Sequence, residues 1–319
     1  MKNAEIADDW FASHFHCDKH GLLALTGLRG TGKSSALERF RLDVCGRCAS
    51  EDGVFFVNCE NRLLQRIRTG EQLWDFICSS VSGTGRLYLF IDEASSFPDI
   101  ARFFEIAFAS GRCSFVCAAA SSGRMLDHLP KDIALHECRL LPDGRTLRTA
   151  DQLERLWNTL FLRDVLNGLH LVDVRAIERV AEWTCDHMGD PASLRRIVAD
   201  IEAEGCRLSP NTVASYLQSL QEGYLIERVS CWDAFERTET KTDYMFFCTD
   251  LELRRHRRGP APVDEARRLR LALSYLQLRR RHGRVLTVRG GPADADFVTF
   301  SDDRAVFWKA RSEGPVPVL

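Results

Sequence analysis

The chain has 319 residues, 45% of them apolar and 28% charged, with a formal net charge of −2, which is the composition of a soluble globular protein with room for about two domains or three small ones. No apolar run approaches the roughly 18 residues that a membrane-spanning helix needs. The opening "MKNAEIADDWFASHF" carries acids early and has no apolar centre, which argues against a secretory signal, so a cytoplasmic protein with no membrane contact is expected.

The first strong pattern is "GLLALTGLRGTGKSSALERFRLDV". The run "GLLAL" suits a buried parallel strand, and Ala36, Leu37, Phe40 and Val44 share one face of a following helix. Between them "GLRGTGKS" fits G-x-x-x-x-G-K-[ST] through Gly27, Gly32, Lys33 and Ser34. A strand entering a glycine-rich turn and then a helix aims successive backbone N–H groups at one point, and the helix end adds partial positive charge. Gly30, Thr31, Gly32, Lys33, Ser34 and Ser35 are therefore the expected nucleotide-binding residues. Lys33 is expected on the β- and γ-phosphates and Ser34 on magnesium, so ATP and Mg are the expected cofactors.

The twelve cysteines are scattered, several in apolar runs such as "SFVCAAA", where a thiol acts as a small buried hydrophobe. "CGRC" (Cys45, Cys48) has zinc-like spacing, and "HFHCDKH" (His14 to His20) could supply partners. A zinc site needs four converging ligands, and a second CxxC is absent. Reduced thiols are the expectation.

"GVFFVNCEN" reads as a strand near residues 54–59. "RLYLFIDEASSF" is an apolar strand ending in Asp92-Glu93, and a carboxylate at the tip of a parallel strand faces the crevice where ligands of open α/β sheets bind. Asp92 can hold the magnesium, and Glu93 is placed to orient or deprotonate an attacking water, which points to hydrolysis. The other reading of Glu93 is a surface residue after a single magnesium aspartate. "GRCSFVCAAASSGRML" reads as a strand from about 113 to 120 ending in Ser121-Ser122. In hydrolytic P-loop folds of the additional-strand type, this strand lies between the P-loop strand and the Asp-Glu strand. Ser121 or Ser122 is then the sensor candidate, with Ser122 grouped with Glu93 and Lys33 as catalytic; a helix N-cap role is the alternative.

Residues 151 to about 235 have helical periodicity. "VRAIERVAEWTCDHM" and "ASLRRIVADIEAEG" read as amphipathic helices, and "LSPNTVASYLQSLQEG" as a third, with Ser209 as cap, Pro210 in the first turn and Gly223 as stop. "YLIERVSCW" and "DYMFFCTD" follow as strands separated by a polar stretch that reads as a wing, making a winged helix-turn-helix. Asn211, Thr212, Ser215 and Gln218 of the third helix could touch base edges. That helix holds no Lys or Arg, however, and phosphate neutralisation supplies most non-specific affinity. A structural or protein-contacting winged helix is the favoured reading.

Charge is unevenly distributed: residues 1–150 balance at −1, residues 151–250 at −8 and residues 251–319 at +7. Only six basic residues are lysine and 37 are arginine, a skew that a GC-rich genome also produces. Residues 251–284 hold eleven arginines against three acids, with Leu269, Leu273, Leu276 and Leu278 giving the central helix an apolar side. This is either a solvated collar or a patch for nucleic acid.

Taken in order, "GLRGTGKS", "LYLFIDEA", "AAASSGRML", "LSPNTVASYLQSLQEGYLIERV", "KTDYMFFCTDLEL" and "DADFVTF…VFWKA" resemble the AAA-type ATPases of bacteria and archaea in which a P-loop domain precedes a conserved domain of unknown function. The resemblance implies an α/β fold: an additional-strand, AAA-like P-loop parallel sheet (residues 1–150), a helical winged-helix domain (151–250) and a small α+β restriction-endonuclease-like tail (251–319). It implies an ATPase coupling nucleotide state to a macromolecular partner, DNA first, with a nucleotide-dependent binding switch or transcription regulator acting through a protein partner as the alternative. Expected partners are ATP, nucleic acid through the 251–284 arginines, a protein through the winged helix, and a second copy of the chain. The family's glycine-arginine pair after the sensor is matched only loosely by Arg139 and Arg145, so no arginine finger is assigned. In the tail, Glu265, Asp296 and Lys309 match the nuclease pattern, but Phe307 stands where a metal-binding acid belongs, so a degenerate scaffold without nuclease activity is expected.

Overall fold

The computed structural model describes residues 3–14, 21–47, 53–81, 85–127, 129, 133–142, 147–166, 173–259, 266–301 and 304–318. Cys48, the stretch from His16 to His20, the His14 side chain, Arg145 and Glu265 lie outside the described residues. The chain divides into two compact units, Met1–Asp143 and Gly144–Leu319. No helix among the described residues is long and apolar enough to cross a membrane.

The first unit is built on five parallel strands: β1 (Gly21–Thr26), β2 (Val54–Asn58), β3 (Leu87–Asp92), β4 (Cys113–Ala120) and β5 (Leu135–Arg139), in the spatial order β2-β3-β4-β1-β5. β1 and β3 are buried almost throughout, as strands covered on both faces must be, which is why they read as unbroken apolar runs. Successive side chains still alternate. Leu23 and Leu25 join Ala7 and Phe11 of helix α1 (Asn3–His14) and Leu37 and Phe40 of α2 (Lys33–Arg47) on one face. Leu22 and Ala24 join Leu73 and Ile77 of α3 (Gly70–Ser80) and Phe103 and Phe104 of α4 (Ile100–Ala109) on the other. Thr69 and Gln72 form a reciprocal capping box at the start of α3. Gly70 lets α3 meet α4, since a Cβ there would lie 2.4 Å from the Phe103 nitrogen.

As expected, β4 pairs with both β1 and β3, so its tip sits between the P-loop and the acidic pair. β4 is followed by the four-residue helix α5 (Arg124–Asp127). The edge strand β5 is a feature the sequence hides. In "LHECR" only Cys138 is buried, because an edge strand need not be apolar on both faces.

In the second unit, α6 (Ala150–Thr159) begins at a Thr149/Gln152 capping box and runs into a π-helical turn over Leu160–Val165. α7 (Val174–Asp186), α8 (Leu194–Ala203) and α9 (Pro210–Glu222) pack against one another, and Ser209, Pro210 and Gly223 take the expected places at the ends of α9. The short β6 (Pro191–Ala192) pairs with β8 (Thr238–Cys248), itself the partner of β7 (Ile226–Asp233). The polar stretch expected as a wing loop is largely strand: β8 already starts at Thr238, and the turn is confined to the residues after Asp233.

α10 (Leu251–Arg258), α11 (Ala266–His282), β9 (Val285–Arg289), β10 (Phe297–Ser301), β11 (Arg304–Lys309) and β12 (Val316–Val318) complete the unit. β9 pairs in parallel with β7, giving one seven-stranded sheet in the order β12-β11-β10-β9-β7-β8-β6. The segments 151–250 and 251–319, read from sequence as separate domains, therefore share one sheet in one unit. On α11 the inward face is Leu271, Tyr275 and Leu278 with Ala272 and Leu276, whereas Leu273, expected inside, is half exposed. The buried spacing of four and three residues excludes position 273 from that face.

Candidate nucleotide site

The loop from Gly27 to Gly32 joins β1 to α2, and its three glycines serve two purposes. All have positive φ, at 130°, 77° and 91° for Gly27, Gly30 and Gly32. A Cβ on Gly27 would lie 2.1 Å from the Leu140 carbonyl oxygen, so this glycine is required by the crossing of two chain segments. A Cβ on Gly30 or Gly32 would meet nothing, so these are required by backbone conformation alone. Lys33 is buried, and its Nζ donates to the carbonyls of Gly27 at 2.8 Å and Leu28 at 2.9 Å. Thr31 Oγ1 donates to the Leu28 carbonyl at 2.9 Å, pinning the loop from inside. Gly30, Gly32, Ser34 and Ser35 are exposed at the start of α2, where the first-turn N–H groups have no intrahelical acceptor.

Asp92 closes β3, is buried, and accepts from Ser34 Oγ at 3.1 Å and Asn58 Nδ2 at 3.1 Å. One hydroxyl and one carboxylate oxygen at this separation fit magnesium, which retains most of its waters and takes one or two protein oxygens. Among the described residues no group of three or more His, Cys, Asp or Glu is arranged to hold a metal, and Cys45 belongs to no such group.

Glu93 adopts a left-handed backbone, φ 47°, a conformation rare outside glycine that over-determined functional positions retain. Its Oε1 accepts from Ser121 Oγ at 3.1 Å and faces Arg29 Nη1 at 3.3 Å, while Oε2 is buried without a hydrogen-bond partner. Burial pushes the Glu93 carboxyl above the ordinary carboxylate range; Arg29, Lys33 and the Ser121 bond oppose that push, and Glu60 adds to it. The nearby Cys59 thiol is pushed up to about 12, by burial first and then by Asp92 and Glu93, which favours the protonated, weakly nucleophilic form. The ten described cysteines are free thiols.

Lys33, Ser34, Asp92 and Glu93 thus converge. Ser121 and Ser122 are both buried at the tip of β4, and Ser121 donates to Glu93. Arg139 pairs with Glu137 on β5 at 3.2 Å. Three residues of the cluster were not anticipated: Arg29 of the loop, and Asn58 and Glu60 at the end of β2. The available signal was position, since residues at the C-terminal tips of parallel strands face the crevice.

In the second unit the arginine-rich segment meets the acidic one. Arg254 is buried and donates to the Cys185 carbonyl at 3.2 Å. Arg257 lies over the Trp157 ring at 4.5 Å between Glu154 and Glu178, and Arg258 pairs with Asp186 at 2.5 Å. Arg268, Arg279 and Arg284 pair with Asp190, Glu227 and Glu239. Much of the +7 is thereby matched within the unit. Asp296 and Lys309 do come together, 3.6 Å apart, beside a cavity of about 360 Å³, but as an ion pair whose carboxylate also accepts from the Ala310 N–H at 2.9 Å.

An uncharacterised protein of Haemophilus influenzae is 23% identical over 163 residues, covering 51% of this chain and 40% of that protein. The chain therefore matches about two fifths of the length of that relative. Among solved structures, a Walker-type ATPase of Pyrococcus abyssi is 13% identical, with TM-score 0.43, over 80% of this chain and 94% of that one. The Aeropyrum pernix ORC2 protein, in ADPNP and ADP complexes, is 9% identical with TM-score 0.38 over 87% and 93%. AMPPCP-bound DnaA from Aquifex aeolicus is 15% identical with TM-score 0.28 over 68% and 86%. The family model of the AAA domain matches residues 19–136, a stretch that runs from β1 into β5 and contains every residue from Lys33 to Ser122, so this part of the chain is similar to AAA domains.

Proposed function

We propose that the first unit binds ATP with magnesium and hydrolyses it, and that its nucleotide state acts on a macromolecular partner. The observation that carries this reading is two carboxylates at one strand tip, each engaged by a hydroxyl from a different element: Asp92 by Ser34, Glu93 by Ser121. Ser34 and Asp92 would hold the magnesium, which when bound neutralises charge on the phosphates. Lys33 exchanges the Gly27 and Leu28 carbonyls for phosphate oxygens, a stronger charge-assisted contact. Ser34 and Ser35, with Gly30, Thr31 and Gly32, offer backbone N–H groups to the phosphates. Glu93, made more basic by burial, takes a proton from the attacking water, and Ser121, one of the two sensor candidates, fills the sensor role.

For the second unit we read α7, α8 and α9 with β6, β7 and β8 as a winged helix, and α11 with β9 to β12 as a nuclease-like scaffold without the acid at Phe307. A protein partner is the second reading, and one observation favours it: six arginines of residues 251–284 are engaged inside their own unit, and exposed Asn211, Ser215 and Gln218 on α9 are uncharged. Arg255, Arg267 and Arg281 stand exposed and are what a nucleic acid would meet. Phosphate release is to be measured for the protein alone and with random duplex DNA at two salt concentrations. Turnover that DNA raises at low salt only supports a nucleic-acid partner. Turnover indifferent to DNA supports a protein partner. ATP binding without turnover overturns hydrolysis and leaves a nucleotide-dependent switch.

A further inference from the structure

We propose that Arg29 is a positioning residue for Glu93, anchored for that task by Glu60; this rests on the hydrolytic reading of the site. Arg29 occupies a variable place in the phosphate loop, where any residue satisfies the motif. Its side chain does not extend into solvent: it is only 12% exposed and bridges two carboxylates, with Nη2 on Glu60 Oε1 at 2.8 Å and Nη1 facing Glu93 Oε1 at 3.3 Å. Glu60 is held in turn from two sides. Ser96 Oγ donates to the same Oε1 at 3.2 Å, and the Glu60 N–H donates to Asn58 Oδ1 at 2.8 Å. Asn58 reaches on to Asp92, so the support of Glu93 is continuous with that of the magnesium aspartate.

The consequence lies in which Glu93 oxygen is left over. Oε1 takes both Ser121 and Arg29, while Oε2 is buried and has no hydrogen-bond partner. A carboxylate held by one oxygen presents the other in a defined direction, and that oxygen is the one available to the attacking water. The guanidinium fork is suited to this, since two donors a fixed distance apart set the spacing of two carboxylates, which a lysine cannot do. Misplacing a catalytic group by about 1 Å costs on the order of 100-fold in rate.

The test uses the full chain with Arg29→Gln, Arg29→Lys, Glu60→Gln and the double Arg29→Gln/Glu60→Gln, reading kcat and KM for ATP and the Kd of a fluorescent ATP analogue. The expected result is a kcat lowered about 10- to 100-fold in Arg29→Gln and Glu60→Gln, with KM and Kd within about threefold. Arg29→Lys should recover part of the rate, and the double variant should fall no further than Arg29→Gln, because both residues act through one carboxylate. A kcat within twofold of the parent in Arg29→Gln overturns the proposal. So does a Kd raised more than tenfold with kcat retained, which would make Arg29 a phosphate contact. If Arg29→Gln loses binding and rate together, Glu60→Gln decides, because it lies outside the loop: an unchanged kcat there overturns the proposal, a lowered kcat at normal Kd supports it. A parent chain that binds ATP without turning it over overturns this proposal together with the hydrolytic reading, whereas normal parent turnover with unaffected variants overturns this one alone.

Discussion

Glu93→Gln isolates the proposed water-activating step. The substitution keeps the shape of the side chain and leaves Lys33, Ser34 and Asp92 untouched, so the groups expected to meet phosphate and magnesium are unchanged. With the amide oxygen at the Oε1 position, the 3.1 Å bond from Ser121 is retained. What is lost is the negative charge facing Arg29 and the proton-accepting capacity of Oε2. General-base contributions of about 100- to 10,000-fold correspond to about 2.7–5.5 kcal/mol in the barrier. Turnover should fall by that factor while the Kd of a fluorescent ATP analogue stays within about threefold. The same variant has a stability consequence of opposite sign. Burial holds the folded-state pKa of Glu93 above its unfolded value, so the folded protein binds the proton more tightly, and its relative stability is lost as pH rises through the unfolded and then the folded pKa. Removing the charge should therefore raise the Tm at pH 7.5, and this gain should shrink as pH falls through the folded pKa. The measurements are phosphate release under saturating ATP and thermal unfolding at two pH values. Turnover within threefold of the parent would refute the role of Glu93, and a Tm lowered at pH 7.5 would refute the account of its burial.

Lys33→Ala should weaken binding of the ATP analogue at least 100-fold, measured by anisotropy, because the loop loses its buried cation. Gly27→Ala should cost more than about 2 kcal/mol, from a Cβ 2.1 Å from the Leu140 oxygen, whereas Gly30→Ala should cost about 1 kcal/mol, from its left-handed backbone alone; urea midpoints separate the two. Arg254→Ala should destabilise the second unit by about 2 kcal/mol, the loss of a buried charge-assisted hydrogen bond, and leave the salt dependence of any DNA binding as it was. Incubated with magnesium or manganese, the protein should leave supercoiled plasmid uncut on a gel; nicking that disappears in Asp296→Ala would return nuclease chemistry to the tail.

Local chemistry in the sequence determined the phosphate loop, the strand leading into Asp92-Glu93, and the ends of α9. Each depends on residues adjacent in the chain: glycines where φ must be positive, apolar runs where both faces are covered, and Ser209 and Pro210 where a helix begins. The tertiary structure decided what depends on residues far apart. β5 carries no apolar strand pattern because an edge strand buries only Cys138. Arg29, Asn58 and Glu60 carry no motif, and their relation to Glu93 arises only because β2 pairs with β3 and the loop after β1 reaches across β4 to meet them. The charge imbalance between residues 151–250 and 251–319 was legible, but its meaning was not, since composition does not distinguish an arginine offered to a phosphate from one already facing Asp186 or Glu154. Pairing between strands and between charges is set by which surfaces meet, and a one-dimensional pattern constrains that least where the surface is polar.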